Sequence, residues 1–254
     1  MNRFFVCLLI FFGTVFSSDK VLFLDCCGKN AQLPGTLQAI LGALEEFENK
    51  GAAGVYVDLS IKESFFDTSE SVNCIEQCFL PIKVGKGELE RVPNYQKTFF
   101  RLRTYCEMSP KKANYLIQKY IKLKPEINQK FSEWLNRKHE VGVYFADPAP
   151  PRLQQAINHQ DVIKTLMAHY QGGMIFLVTN DIELRRLVKK KFPGKVIVFF
   201  GYGFTVHEQV LLSLLVLSKC DVLIASDDPF SSCVSYFNPV LKTIFLDTHW
   251  LKSY

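Results

Sequence analysis

Three short apolar runs in the second half of the chain each stop at residues able to bind a ligand or move a proton. VGVYF ends on Tyr144, Ala146 and Asp147, MIFLVT on Thr179, Asn180 and Asp181, and DVLIA on Ser226, Asp227 and Asp228, with Ser231 and Ser232 close behind. If each run is a parallel strand, these turns share the carboxyl edge of one sheet, where open α/β sheets hold their ligands. A helix beginning near Phe230 would aim backbone donors and the hydroxyls of Ser231 and Ser232 at an anion, an arrangement physically suited to phosphate. The same serines serve equally well as plain helix caps. Asp227 and Asp228 oppose a phosphate unless they bond sugar or base groups, hold a metal or point away. Hydrolysis by paired acids needs carboxylates opposed across a bond, and adjacent acids do not specify that. His207, at a helix start near a strand end, could contact phosphate or assist proton transfer. The helix N-terminus lowers its proton affinity, and the plain alternative is a polar helix start with no chemical duty.

The elements that would position these residues alternate. KVLFLDC reads as a buried first strand, Leu37, Ile40, Leu41, Leu44 and Phe47 recur at helical spacing, and Val55 to Leu59 forms a second strand. This βαβ opening lacks the closely spaced glycines of a dinucleotide fingerprint. Residues 60–135 are less regular, with helices expected over Lys111 to Ile121 and Pro125 to Arg137. From Glu140 onward the order is β-α-β-α-β-α-β-α-β: strands VGVYF, MIFLVT, KVIVFF, DVLIA and TIFL, separated by helices over Asp161 to Tyr170, after Asn180-Asp181, from His207 to Leu217, and near Phe230. That alternation predicts a mostly parallel sheet with right-handed crossovers.

The chain has 254 residues, 48% hydrophobic and 22% charged, enough for one sizeable core or two smaller ones. MNRFFVCLLIFFGTVFSS has a short basic start, an apolar stretch and small residues at Val15 and Ser17, so residues 1–17 read as a secretory signal, with a retained anchor as the alternative. Secretion or an extracytoplasmic location follows, and contact with a membrane only if that segment stays. Of eight cysteines, Cys7 leaves with the signal, and the odd remainder leaves at least one free or intermolecular. Cys74 and Cys78 lack the tight pair spacing of a structural zinc site, and no metal is expected. Cys26, Cys27 and Cys233 have no evident arrangement with His and an acid, and read as buried or disulfide-bonded. The formal charge of +5 includes Lys189, Lys190 and Lys191 and reads as a solvated surface. YQKTFFRLRTY interleaves aromatic and basic residues without a single-strand-binding signature, so no nucleic-acid partner is expected.

In order along the chain, KVLFLDCCGKNAQLPGTLQAILGALEEFENKGAAGVYVD, NCIEQCFLPI, YIKLKPEINQKFSEWLNRKHEVGVYFADPA, MIFLVTNDIELRRLVKKKFPGKVIVFF and HEQVLLSLLVLSKCDVLIASDDPFSS resemble the fucosyltransferases of the O-fucosyltransferase and nodulation type. The resemblance implies the GT-B plan of two Rossmann-like α/β domains, here an acceptor-side domain over 18–138 and a nucleotide-sugar domain over 139–254. It further implies inverting, metal-independent transfer of a sugar, typically from GDP-fucose, to a glycan or protein hydroxyl, with no other cofactor. Carried over by match, Thr179 and Asp181 face the nucleotide, Phe230, Ser231 and Ser232 fall in the diphosphate loop, and His207 begins the helix preceding it.

One departure bears on activity. The family has His-x-Arg after the strand matching VGV, and its arginine pairs with the donor diphosphate; this chain has Tyr144-Phe145-Ala146. Alanine supplies neither the rigid donor fork nor the positive charge. Arg152, beyond the proline-rich turn, is the nearest substitute in sequence. The glycine-rich first loop is replaced too, by CCGKNAQLPG. Two functions therefore stand side by side: a transferase with rebuilt donor contacts, and an inactive module of the same fold that binds carbohydrate or protein.

Overall fold

The computed structural model describes residues 21–25, 33–50, 54–58, 78–80, 82–85, 108–145, 155–156, 158–199, 203–246 and 249–250. Residues 1–17, Cys26, Cys27, Cys74, Cys106, Ala146, Asp147 and Arg152 lie outside them.

The first half opens as a parallel pair, β1 (Val21–Asp25) and β2 (Gly54–Asp58), joined through α1 (Leu33–Lys50). A short β3 (Lys83–Gly85), not anticipated from sequence, pairs antiparallel with β2. Helices α2 (Pro110–Tyr120) and α3 (Pro125–Leu135) follow. Each begins on a proline, whose missing N–H would have had no helical partner in a first turn.

The second half runs β4 (Val141–Phe145), β5 (Gln155–Ala156), α4 (His159–His169), β6 (Ile175–Thr179), α5 (Ile182–Lys191), β7 (Val196–Val198), α6 (Val206–Leu217), β8 (Val222–Ala225), α7 (Pro229–Phe237), β9 (Lys242–Phe245) and β10 (His249–Trp250). Five of these strands form one parallel sheet in the order β7-β6-β4-β8-β9. The remaining two, β5 and β10, pair antiparallel with each other. From the centre at β4 the chain winds outward through β6 to β7, then returns to β8 on the opposite side. The switch point of the sheet therefore lies between the ends of β4 and β8.

Side chains alternate across β4 as a pleated strand requires. Val141, Val143 and Phe145 pack with Val162 and Leu166 of α4 and Leu184 and Val188 of α5. Tyr144 points to the other face, into a cluster with Leu211, Leu214 and Leu217 of α6 and Phe230 and Val234 of α7. Gly142 lets α6 close on the strand, since a Cβ there would lie 2.8 Å from Leu217 Cδ2 and 3.1 Å from Cys220 Sγ.

That second cluster does not stop at the sheet's own helices. Leu37, Ile40, Leu41 and Leu44 of α1 and Ala113, Leu116 and Ile117 of α2 belong to it, and α1 packs against α2, α6 and α7 as well as β1 and β2. Polar ties fix the same junction. Glu48 near the end of α1 accepts from Lys119 at 2.8 Å, Lys112 at 3.0 Å and the Tyr120 hydroxyl at 3.0 Å. The Asn114 amide donates to the carbonyls of Phe237 at 2.9 Å and Tyr236 at 3.0 Å, where α7 runs out of helical partners.

Cys78, Cys220 and Cys233 are buried. Burial pushes the Cys220 and Cys233 thiols up to about 12, with Asp221 and Asp228 adding to it respectively, so neither is a nucleophile at neutral pH. Among the described residues no helix is long and apolar enough to cross a membrane, and no cluster of three or more His, Cys, Asp or Glu could hold a metal.

Candidate functional site

The carboxyl edge of the five-stranded sheet brings together the ends of β4, β6 and β8 with the first turns of α4, α5 and α7. At the switch point, Tyr144 from β4 lies flat on Phe230 from α7, with ring centroids 4.2 Å apart and planes 15° apart. Both are buried. Burial, and then the charge of Asp228, drive the Tyr144 phenol well above its ordinary value, so it remains protonated.

The turn after β8 is organised by Asp228, the N-cap of α7. Its Oδ1 accepts from the Ser231 amide at 2.8 Å and the Ser231 hydroxyl at 3.1 Å, and its Oδ2 from the Ser226 hydroxyl at 2.7 Å. The Ser231 hydroxyl also lies 2.7 Å from the Ser226 carbonyl, so its one proton has that carbonyl and Asp228 as alternative acceptors, and Ser231 is only 1% exposed. Ser232 donates its hydroxyl to the Asp228 carbonyl at 3.2 Å. Of the two readings of these serines, capping is the one this geometry displays: both hydroxyls are turned onto the protein. Pro229 has no N–H and a carboxylate occupies the Ser231 amide, so the first turn of α7 offers an anion fewer donors than an uncapped helix. Asp227 is exposed.

The turn after β6 forms a connected chain of hydrogen bonds. The Thr179 hydroxyl donates to the Phe145 carbonyl at the end of β4 and accepts from the Asp181 amide at 3.1 Å. Asp181 caps α5, its Oδ1 accepting from the Leu184 amide at 2.9 Å. Its Oδ2 lies 2.7 Å from Nε2 of His159, in the first turn of α4. Burial raises the Asp181 carboxyl, but the Leu184 amide and His159 outweigh it and hold the group below the usual carboxylate range.

Sequence reasoning missed His159. Its signal was present, because first-turn residues of helices that follow adjacent parallel strands must meet at one edge, but it needed the pairing of β4 with β6.

His207 lies in the first turn of α6, which Thr205 caps. Glu208 completes a capping box: its amide donates to the Thr205 hydroxyl at 3.3 Å and its Oε2 accepts from the Thr205 amide at 2.7 Å. Lys130 of α3 reaches both Glu208 oxygens, at 2.7 and 2.8 Å. Burial works against ionisation of Glu208, but Lys130 and the Thr205 amide keep it low. This helix start thus already holds a carboxylate. Arg152 lies outside the described residues, in the segment that leaves β4.

Fucosyltransferase NodZ from Bradyrhizobium superposes with a TM-score of 0.62 at 15% identity, over 90% of this chain and 96% of that one. NodZ alpha-1,6-fucosyltransferase soaked with GDP-fucose gives a TM-score of 0.59 at 14% identity, over 90% of this chain and 95% of that one. The chain has the GT-B fucosyltransferase fold. The same enzyme co-crystallised with GDP gives a TM-score of 0.58 at 14% identity. No family model and no curated protein matches the sequence.

Proposed function

We propose that the protein is a glycosyltransferase that takes its sugar from a nucleotide sugar, with GDP-fucose the first candidate donor. The acceptor is a glycan or protein hydroxyl, and the reaction runs with inversion in the secretory pathway or outside the cell. The observation that carries this reading is the fold shared over 90% of the chain with a fucosyltransferase whose structures were obtained with GDP-fucose and with GDP.

The carboxyl edge of the sheet supports the proposal in part. Thr179 and Asp181 are anchored to the central strand, and Tyr144, Asp227, Phe230, Ser231 and Ser232 stand around the switch point. Transfer makes the leaving diphosphate more anionic, and a cation must meet that charge. Asp228 at the start of α7 and Asp181 at the start of α5 are both negative, and this reading assigns the cation to Arg152, in the segment that follows β4 in sequence.

A second reading is an inactive module of the same fold that binds carbohydrate or protein. Ala146 in the arginine position and the carboxylate cap on α7 are the observations in its favour.

Calorimetric titration of the full chain with GDP, GDP-fucose, UDP and UDP-sugars separates the two. The transferase reading expects GDP and GDP-fucose to bind more tightly than the uridine compounds, and Arg152→Ala to weaken GDP about tenfold or more, the loss of a charge-assisted contact. A folded protein that binds no nucleotide sinks it. Unchanged affinity in R152A removes Arg152 as the clamp and leaves donor binding standing.

A further inference from the structure

Inverting transfer requires an acceptor for the proton of the attacking hydroxyl, held in a fixed position; Asp227 at the carboxyl edge is exposed and has no such anchor among the described residues. Asp228 accepts through both oxygens from Ser226 and Ser231, and both oxygens of Glu208 are taken by Lys130 and Thr205. Glu208 is also buried.

His159 differs. A carboxylate held ionised can only accept, so the 2.7 Å contact with Asp181 places the proton on Nε2 of His159. Nδ1 is then the lone-pair nitrogen, and it makes no hydrogen bond to any described residue. The side chain is 26% exposed, so Nδ1 belongs to a ring that solvent and substrate can reach. Asp181 is itself fixed twice, through its cap on Leu184 and through Thr179 to the Phe145 carbonyl. The imidazole is thus tied to the last residue of β4, directly before the segment that carries Ala146 and Arg152.

We propose that His159 is the general base of the transfer and that Asp181 is its positioning residue, an inference that rests on the transferase reading above. The acceptor oxygen forms a bond to the anomeric carbon as the bond from that carbon to the donor's phosphate oxygen breaks. The electron pair of the broken bond leaves with the nucleoside diphosphate. The acceptor's proton goes to Nδ1, and the resulting imidazolium keeps its Nε2–H on Asp181, whose negative charge stabilises it. The alternative duty of the pair is to staple the first turns of α4 and α5, which would affect stability alone.

The test uses the full chain and GDP-fucose with water as acceptor, following GDP release across pH and GDP affinity by calorimetry. His159→Gln is expected to lower GDP release about 100-fold, within the range for loss of a general base, and to leave GDP affinity within about twofold. The acid limb of the wild-type pH profile should disappear with it. Asp181→Asn keeps an N-cap oxygen for Leu184 but offers an amide to Nε2, which turns the imidazole to the wrong tautomer; it should lose rate comparably and fold normally. GDP release within about threefold of wild type in H159Q overturns the proposal, as does a wild type that binds GDP-fucose and releases no GDP; both leave donor binding intact. A chain that binds no GDP overturns the transferase reading and this inference together.

Discussion

The ring of Tyr144 rests on that of Phe230 at 4.2 Å, across the gap between β4 and β8 where the strand order reverses. In a doubly wound sheet this gap is where a ligand's phosphates reach the backbone. Here an aromatic pair forms its floor, and the phenol of Tyr144 is buried and feels the charge of Asp228. Phe230→Ala should cost about 3–5 kcal/mol, the range for removing a buried phenyl group. Combined with Tyr144→Ala in a double-mutant cycle, it should reveal a coupling of about 0.5–1.5 kcal/mol beyond lost burial. Urea denaturation measures both.

Asp228 gives α7 its start and burdens any anion placed there. Asp228→Ala is expected to destabilise the protein by about 1–2 kcal/mol through loss of the cap. Asp228→Asn keeps an acceptor for the Ser231 amide and removes the charge, so GDP should bind about two- to fivefold more tightly if its diphosphate sits at this turn. Equal affinity in D228N and wild type would place the diphosphate elsewhere.

His139 lies at the opposite edge of the sheet, just before β4, and is 2% exposed with its ring 5.2 Å from that of Phe176. Neither ring nitrogen has a hydrogen-bond partner among the described residues. Burial, assisted by Arg137, lowers its proton affinity in the folded protein. The unfolded chain therefore binds the proton first. The contribution is at its full value above the unfolded pKa, about 6.5, and is lost as pH falls below it, at up to about 1.4 kcal/mol per pH unit. His139→Phe should flatten this slope below about pH 6.5 in urea melts; an unchanged slope would assign it to other groups.

Much of the fold could be read from residue order, for a physical reason. The apolar runs that became β4, β6 and β8 are largely buried strands, with the edge strands β7 and β9 more open, and periodicity marked the helices between them to within about two residues, as at Asp181 and Leu217. The packing of α1 against α6 and α7 could not be read, because α1 shows a single apolar stripe whichever neighbour covers it. Ser231 was ambiguous for a different reason: cap and anion ligand use the same hydroxyl, and the orientation of Asp228 decides between them. The pairing of His159 with Asp181 depends on strands β4 and β6 being neighbours, which no local spacing encodes.

If the carboxyl edge of the five-stranded sheet is a nucleotide site, hydrogen exchange of the full chain with and without GDP reads that edge directly. Slowed exchange is predicted at the amides of residues 225–232 and 179–184, with the opposite edge around His139 unchanged. Protection confined to other segments, or no protection at saturating GDP, would contradict it.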